Sequence, residues 1–440
     1  MLSRLEGQPF LNPPEDWFRP LSQTPVLTYF FPHDHKDPSV LQRANTLGRT
    51  RLTNETRLVQ IAKPLFKGHI QPNTYCIDTD GKITDWSDAD PSAIARQIEL
   101  AQEYGINGFV VDAYVERGRD GTIKSELQKP LDLIAQQTVR SSTKFCLMTS
   151  VRRPRAIIPI PPGYNEPNRY YPFEEETLYA MVDYLAKFWD NPNYFHIDDR
   201  PVLGVYGLTS SVLRELVKNM GIPAWEKLGE TMALYSVIKY HVHPYLIGVV
   251  DSPQMVDHVV KAGFDMVTTY AGLVDFYPEL ISSPYKEIVD PKSLSPFQHY
   301  NEQLAKQIQA WQRIVDLLIY NFIPSAVTGW DATARGELGV TLNDVKGQYP
   351  FTPIIVDATP EKFYNMLKAI YRYLPTRISQ LGRLFIVCAF NEITEGAALL
   401  PVLRNGQVDY GYLNALKLFI ANLRSNKLDQ IVISPSEQGT

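Results

Sequence analysis

The chain has 440 residues, of which 44% are hydrophobic and 21% charged, and it carries a net charge of -5. That balance is ordinary for a globular protein and excludes a global electrostatic pull toward nucleic acid or an anionic membrane. The opening residues hold no apolar run of signal-peptide length, and no later stretch approaches the ~20 apolar residues of a membrane span. A cytoplasmic protein is therefore expected, with no membrane span and no nucleic-acid partner; the oligomeric state is left open.

Short apolar strands alternate with longer helical patterns, as parallel strands with helical crossovers require. The first strand reads as Pro25 to Phe31 and ends at Pro32-His33-Asp34-His35. A helix over Ser92 to Tyr104 leads into the second, Gly108 to Ala113. The third runs from Phe145 to Ser150, and an aromatic-rich helix from about Glu174 to Trp189 precedes the fourth, Val202 to Tyr206. The fifth, Tyr245 to Val250, ends at Asp251. A helix from Pro253 to Ala262 leads into the sixth, Met266 to Tyr270. The seventh, Pro324 to Thr328, runs into Gly329-Trp330-Asp331. The eighth, Leu384 to Ala389, runs into Asn391-Glu392-Ile393-Thr394-Glu395-Gly396.

Eight such strands predict an α/β fold, a (β/α)₈ TIM barrel with long βα loops. Unbroken apolar strands fit, because barrel strands are buried on both faces. The competing doubly wound sheet would carry a glycine-rich phosphate turn after an early strand, and the sequence has none. The expected organisation is an N-terminal extension over 1–24, a single catalytic barrel over 25–424 and a polar tail over 425–440. Long connections over 35–91 and 151–173 would cover the C-terminal face, where barrel active sites sit.

Chemistry concentrates at strand ends. Glu392 and Glu395, three positions apart after the eighth strand, would share the mouth. Two nearby carboxyls in a partly dry pocket cannot both ionise easily, so one holds its proton. An acid and a base from one residue type is what glycosidic cleavage needs. The alternative is a helix-capping loop with solvated glutamates. Asn391 would hold a sugar hydroxyl or orient a carboxylate. After the seventh strand, Trp330 offers a ring to stack on a sugar. Asp331 and Arg335 either form a pair that shapes the loop or binds hydroxyls, or Asp331 caps a short helix and pairs with Arg335 at i,i+4. Asp112 and Tyr114 follow the second strand, where an acidic residue in an apolar run needs a partner. Tyr29, His33, Tyr206, Asp251 and Tyr270 hold comparable strand-end positions.

His33 and His35 follow the first strand, as in metal-dependent amidohydrolase barrels. That pattern also wants histidines after the fifth and sixth strands, yet His241 and His243 precede the fifth and Tyr270 ends the sixth. No metal and no cofactor is expected. Asp78-Thr79-Asp80-Gly81 begins like a calcium loop but lacks its ligand spacing, so a turn with Asp80-Gly81 at its tip is expected. Three widely spaced cysteines, Cys76, Cys146 and Cys388, predict buried free thiols.

Several motifs fall in the order of a known family. They are Thr28-Tyr29-Phe30-Phe31-Pro32-His33-Asp34, Tyr104-Gly105-Ile106-Asn107-Gly108-Phe109, and Asp199-Arg200-Pro201-Val202-Leu203 after Tyr184 to Tyr194. They continue with Gly329-Trp330-Asp331 and its Thr333 and Arg335, then Asn391-Glu392 and Glu395-Gly396, Leu400-Pro401, and Tyr410 to Leu413. On these the chain resembles the glycoside hydrolase clan of endo-α-mannosidases and endo-α-mannanases (family 99). It resembles more closely the related WbsX-type proteins of bacterial polysaccharide biosynthesis. The resemblance implies a (β/α)₈ barrel and an oligosaccharide or polysaccharide substrate. It also implies retaining chemistry in which Glu392 deprotonates a sugar 2-hydroxyl that attacks C1, giving a 1,2-anhydro sugar. Glu395 would then protonate the leaving oxygen and later activate water. Two positions depart: Ile393 stands where the family usually has Trp, and Leu400 where it often has Glu. Both bear on the mannose preference more than on the two catalytic positions. The expected function is thus a glycosidase-like enzyme. The rivals are a non-catalytic glycan-binding barrel, a transfer protein of polysaccharide biosynthesis and, less favoured, a metal-dependent hydrolase.

Overall fold

A strand buried on both faces must be apolar throughout, and each of the eight apolar runs is a strand in the computed structural model of the chain. The structure describes residues 21–48, 54–63, 65, 69, 73–118, 120–167, 171, 175–208, 226–250, 253–271, 297–316, 321–340, 349–351, 354–373, 384–425 and 427–428. The barrel strands are β1 (Val26–Phe30), β2 (Gly108–Arg117), β3 (Lys144–Ser150), β4 (Arg200–Leu208), β5 (Tyr245–Val250) and β6 (Met266–Thr269). They are completed by β7, in two halves (Phe322–Ile323 and Ala326–Val327), and β8 (Phe385–Cys388). Every neighbouring pair is parallel, with Tyr29 opposite Val110, Val111 opposite Leu147, and Leu203 opposite Leu246. The first half of β7 pairs with β6 and the second with β8, while β8 pairs with β1. The circle therefore closes through one interrupted strand. Its halves flank Pro324, which has no N–H to give a ladder.

Ten helices are present among the described residues. Two of them, α1 (Pro38–Thr46) and α2 (Glu55–Ile61), lie in the long first βα connection. The other eight follow the strands in turn: α3 (Pro91–Glu103), α4 (Gln128–Thr138), α5 (Glu175–Ala186), α6 (Leu228–Tyr240), α7 (Pro253–Lys261), α8 (Tyr300–Asp316), α9 (Pro360–Tyr373) and α10 (Gly411–Arg424). Local chemistry sets the starts. Asp90 caps α3 by accepting the Ser92 N–H at 2.9 Å, and Pro91 occupies the first helical position. Asn54 caps α2 by accepting the Arg57 N–H at 2.8 Å.

Two features extend the expected pattern. Strand β2 runs four residues beyond Ala113 and forms an antiparallel hairpin with Ile123–Glu126. Thr74–Tyr75 from the first connection pairs with Val402–Arg404, which pairs in turn with Gln407–Asp409. The Asp80-Gly81 turn is present: the Ile77 N–H donates to the Ile83 carbonyl at 3.1 Å, and Gly81 has φ +73°. All three cysteines are buried and free. Among the described residues no helix is long and apolar enough to cross a membrane. Asp251 lies outside the described residues.

Phe30, Phe109 and Phe390 fill the core beneath the site. Their rings sit 5.0 Å apart for Phe30–Phe109 and Phe109–Phe390, and 6.1 Å for Phe30–Phe390. Such contacts each add roughly 0.5–1.5 kcal/mol beyond the area they bury. Phe390 also donates its N–H to the Tyr29 carbonyl at 2.8 Å, so the residue preceding the acidic motif is fixed to β1.

Candidate active site

The acidic motif leaves β8 as a tight return. Asn391 and Glu392 pair antiparallel with Ala398 and Ala397, and Ile393–Glu395 forms a single 3₁₀ turn between them. Gly396 ends the turn in the left-handed region at φ +62°, and a Cβ there would lie 3.0 Å from the Asp331 backbone nitrogen. That closeness is used: the Asp331 N–H donates to the Glu395 carbonyl at 2.7 Å. The loops after β7 and β8 are thus tied backbone to backbone. Asn391 is fully buried and brackets Phe31, accepting its N–H at 2.9 Å and donating to its carbonyl at 2.8 Å. Its amide also donates to Asp88 at 3.3 Å. Its work is therefore to hold the strand end.

Both glutamates are buried, at 2% exposure for Glu392 and 7% for Glu395, so the solvated-loop alternative fails. They converge on Arg335, itself buried. Arg335 Nη2 donates to Glu392 Oε1 at 2.7 Å and Nη1 to Glu395 Oε1 at 2.5 Å. Nε donates to Thr394 Oγ at 2.7 Å and Nη1 to the Tyr349 hydroxyl at 2.8 Å. Tyr349 donates to Glu395 Oε1 at 2.8 Å, and Tyr270 to its other oxygen at 3.4 Å. One guanidinium fork thereby spans two carboxyl groups.

Burial raises the Glu392 carboxyl to about 8; Arg335 opposes that rise, and the negative charge of Glu395 reinforces it. Asp112, on β2, rises to about 7 through burial, against the bond its Oδ2 accepts from the Tyr114 hydroxyl at 3.0 Å. Behind Glu392 lies a buried histidine. His33 Nε2 donates to the Asn391 carbonyl at 2.6 Å and Nδ1 faces Glu55, while its backbone N–H donates to Asp88 at 2.8 Å. Burial opposes the charged ring, yet the Glu55 carboxylate outweighs it and raises His33 to about 9. Both ring nitrogens face acceptors, so both carry protons and neither is free to bind a metal. Asp88 rises to about 6 through burial, against the pull of His33.

The remaining expected residues divide into two groups. Tyr29, Tyr206, Tyr270 and Trp330 form a continuous aromatic wall, with centroids 5.3 Å apart for Tyr29–Tyr270, 5.2 Å for Tyr206–Tyr270 and 6.2 Å for Tyr270–Trp330. The Tyr29 hydroxyl donates to the Thr269 carbonyl at 3.2 Å, which fixes its ring at the strand ends. Tyr114 stands edge-on to Phe31 at 6.2 Å, and Phe31 lies 5.9 Å under the Arg335 guanidinium. Asp331 turns the other way. It caps the Ala332–Arg335 turn by accepting the Thr333 N–H at 2.9 Å, and its second oxygen accepts from His69 Nε2 at 2.9 Å. Of the reading in which Asp331 caps a short helix and pairs with Arg335, the cap is present, while Arg335 is engaged by the glutamates instead. Tyr349, His69, Glu55 and Asp88 were not singled out from sequence. Their partners are set by tertiary packing: 262 residues separate His69 from Asp331, and Glu55 meets His33 through the placement of α2.

This geometry is that of a closed (β/α)₈ barrel with an acidic centre at the C-terminal mouth. Residues 52–416 match the profile of the family described as glycosyltransferase WbsX, and the chain belongs to that family. Proteins from two strains of Xanthomonas campestris pv. campestris, both named uncharacterized protein WxcX, are 25% identical over 371 residues. The match covers 82% of this chain and 45% of each relative, so the chain spans less than half the length of those curated relatives. Among solved structures, a family 99 endo-α-mannosidase from Bacteroides thetaiotaomicron is similar at 14% identity, covering 92% of this chain and 98% of that one, with a TM-score of 0.52. The same enzyme in complex with bis-tris propane gives 16% identity, 91% and 97% coverage and a TM-score of 0.52. A glycoside hydrolase-like protein gives 12% identity, 93% and 98% coverage and a TM-score of 0.54. At such identities these likenesses show a shared barrel fold.

Proposed function

We propose that this barrel acts on a glycan and breaks a glycosidic bond with Glu392 and Glu395. The observation that carries the reading is the buried pair of carboxyls on one arginine fork, with Asp112 beside them and an aromatic wall of Tyr206, Tyr270 and Trp330. Burying three carboxyls around one cation costs stability and is hard to explain as packing.

The roles follow the resemblance. Glu392 takes the proton of a sugar 2-hydroxyl, and the freed oxygen attacks C1. The C1–O bond to the leaving group breaks as Glu395 delivers a proton to that oxygen. The 1,2-anhydro sugar then opens: Glu395 takes a proton from water, the water oxygen bonds to C1, and Glu392 returns its proton to O2. Two inversions give net retention. Burial keeps the proton on Glu392 in the resting site at pH 7. The pair holds one proton between its two carboxyls; a bound 2-hydroxyl donating to Glu392 stabilises the ionised form there and leaves that proton to Glu395, as the first step requires.

The family's description favours a second ending, in which a sugar hydroxyl opens the intermediate in place of water. That outcome is transfer, with the same two carboxyls in the same order. The test is Glu392→Gln and Glu395→Gln, assayed on α-mannosides and related oligosaccharides with NMR of the product anomers. Loss of turnover by about 10²-fold or more in each variant is expected, and product size separates hydrolysis from transfer. Full turnover in both variants would overturn the mechanism. Tight glycan binding without cleavage by the unmodified chain would favour a binding barrel instead.

A further inference from the structure

A second cavity backs onto the acidic turn. It has a volume of about 610 Å³ and lies between α2, the Thr74–Tyr75 and Val402–Arg404 strands, and the loops after β7 and β8. That volume is in the range of small-ligand sites. Of the acidic turn, Ile393 and Gly396 line this cavity, whereas Glu392 and Glu395 do not. The turn is a partition, with the carboxyls on one side and Ile393 on the other.

The lining has three parts. Tyr75, Trp330 and Tyr412 supply aromatic surface. Asn73 and Asn405 supply amide groups that both donate and accept. Lys63 and Arg404, both exposed, bring positive charge to the opening. The one carboxylate in the lining, Asp331, is already satisfied by His69 and by Thr333. Arg404 meets Asp409 only through Nε, at 3.5 Å and largely in solvent, an arrangement that contributes little. Two cations against one carboxylate leave the lining with a net positive balance.

We propose that this cavity is a second, non-catalytic glycan site, and that it takes a sugar unit bearing a carboxylate or a phosphate. Aromatic surface beside amides suits a pyranose, which has apolar C–H faces and a rim of hydroxyls. The two cations select the anionic group. The site stands whether or not Glu392 and Glu395 are catalytic, because it uses neither.

The test is saturation-transfer NMR on the full chain with glucuronic acid, mannose 6-phosphate and mannose as probes. One or both anionic sugars are expected to bind at least tenfold more tightly than mannose, and which of them does so separates carboxylate from phosphate recognition. The variant K63Q/R404Q, altered only at exposed side chains, should weaken the anionic sugar by about tenfold and leave the melting temperature unchanged. E392Q/E395Q should bind it as before. Equal affinity for mannose, unchanged binding in K63Q/R404Q, or loss of binding in E392Q/E395Q would each overturn the proposal. Retained turnover in the glutamate variants would instead strike the catalytic reading and leave this one intact.

Discussion

Replacing Arg335 with Gln removes the only cation bonded to both Glu392 and Glu395 among the described residues. At about 4 Å between charge centres and an effective dielectric near 20, each ion pair is worth about 4 kcal/mol before desolvation. The two pairs do not both count. Glu392 sits near 8 in the folded protein and is already mostly protonated at pH 7, so the variant loses one charged interaction. Breaking one buried pair costs about 3–5 kcal/mol. The unfolding entropy of a 440-residue chain, at ~2.1 cal/mol/K per residue, is about 0.9 kcal/mol/K, so the melting temperature should fall by about 3–5 °C at pH 7. The pH dependence carries the sharper test. Arg335 holds Glu392 below the position burial alone would give it, so the variant keeps that proton to a higher pH. A raised carboxyl loses stability until pH passes its folded value. The unmodified chain therefore stops losing stability near pH 8, while the variant goes on losing it, and the gap widens between pH 7 and pH 9. Differential scanning calorimetry at pH 6, 7, 8 and 9 reads this directly. A variant within 1 °C of the parent at every pH would refute the idea that this fork holds the acid pair together.

Two further outcomes follow from the same titrations. Glu392 rises from an ordinary 4.5 to about 8, so its protonated form favours folding fully below pH 4.5 and that contribution disappears as pH climbs to 8. Glu392→Gln does not titrate, so its melting temperature should gain on the parent across pH 5 to 8; parallel curves would contradict the assignment. His33 rises from 6.5 to about 9 against Glu55, so that ion pair supports folding fully below pH 6.5 and fades as pH passes 9. Relative to H33Q/E55Q, the parent should lose stability between pH 7 and pH 10, and a constant difference in melting temperature would count against a charged His33.

The barrel was legible because a strand packed on both faces has nowhere to place a polar side chain, so β1 through β8 announce themselves as apolar runs. What escaped was whatever leaves the barrel wall. The end of β2 carries Glu116 and Arg117 into a polar hairpin with Lys124, and no apolar run marks it. At the site, the strand-end rule found Asp112, Tyr270, Arg335, Glu392 and Glu395, which the fold brings together. It passed over Tyr349 and His69, whose partners are set by loop paths that no local period encodes. His33 is the instructive case: its place after β1 was visible, but its engagement by Glu55 depends on how α2 packs, which only the tertiary fold decides.

The two departures from the family pattern take on a physical meaning from this geometry. A 3₁₀ turn of three residues sends Glu392 and Glu395 toward Arg335 and leaves Ile393 facing away, into the second cavity. The bonds of the acid pair to Arg335 therefore do not involve the side chain at that position. Leu400 is buried too, but it does not line that cavity: its N–H donates to the carbonyl of Phe390, the residue before the acidic motif, at 3.2 Å. The Ile393 departure thus falls on the side of the turn where Lys63 and Arg404 stand, away from the carboxyls. The Trp-to-Ile departure therefore bears on the cavity proposed above to bind acidic sugars rather than on the acid pair, with Trp330 common to the walls of both.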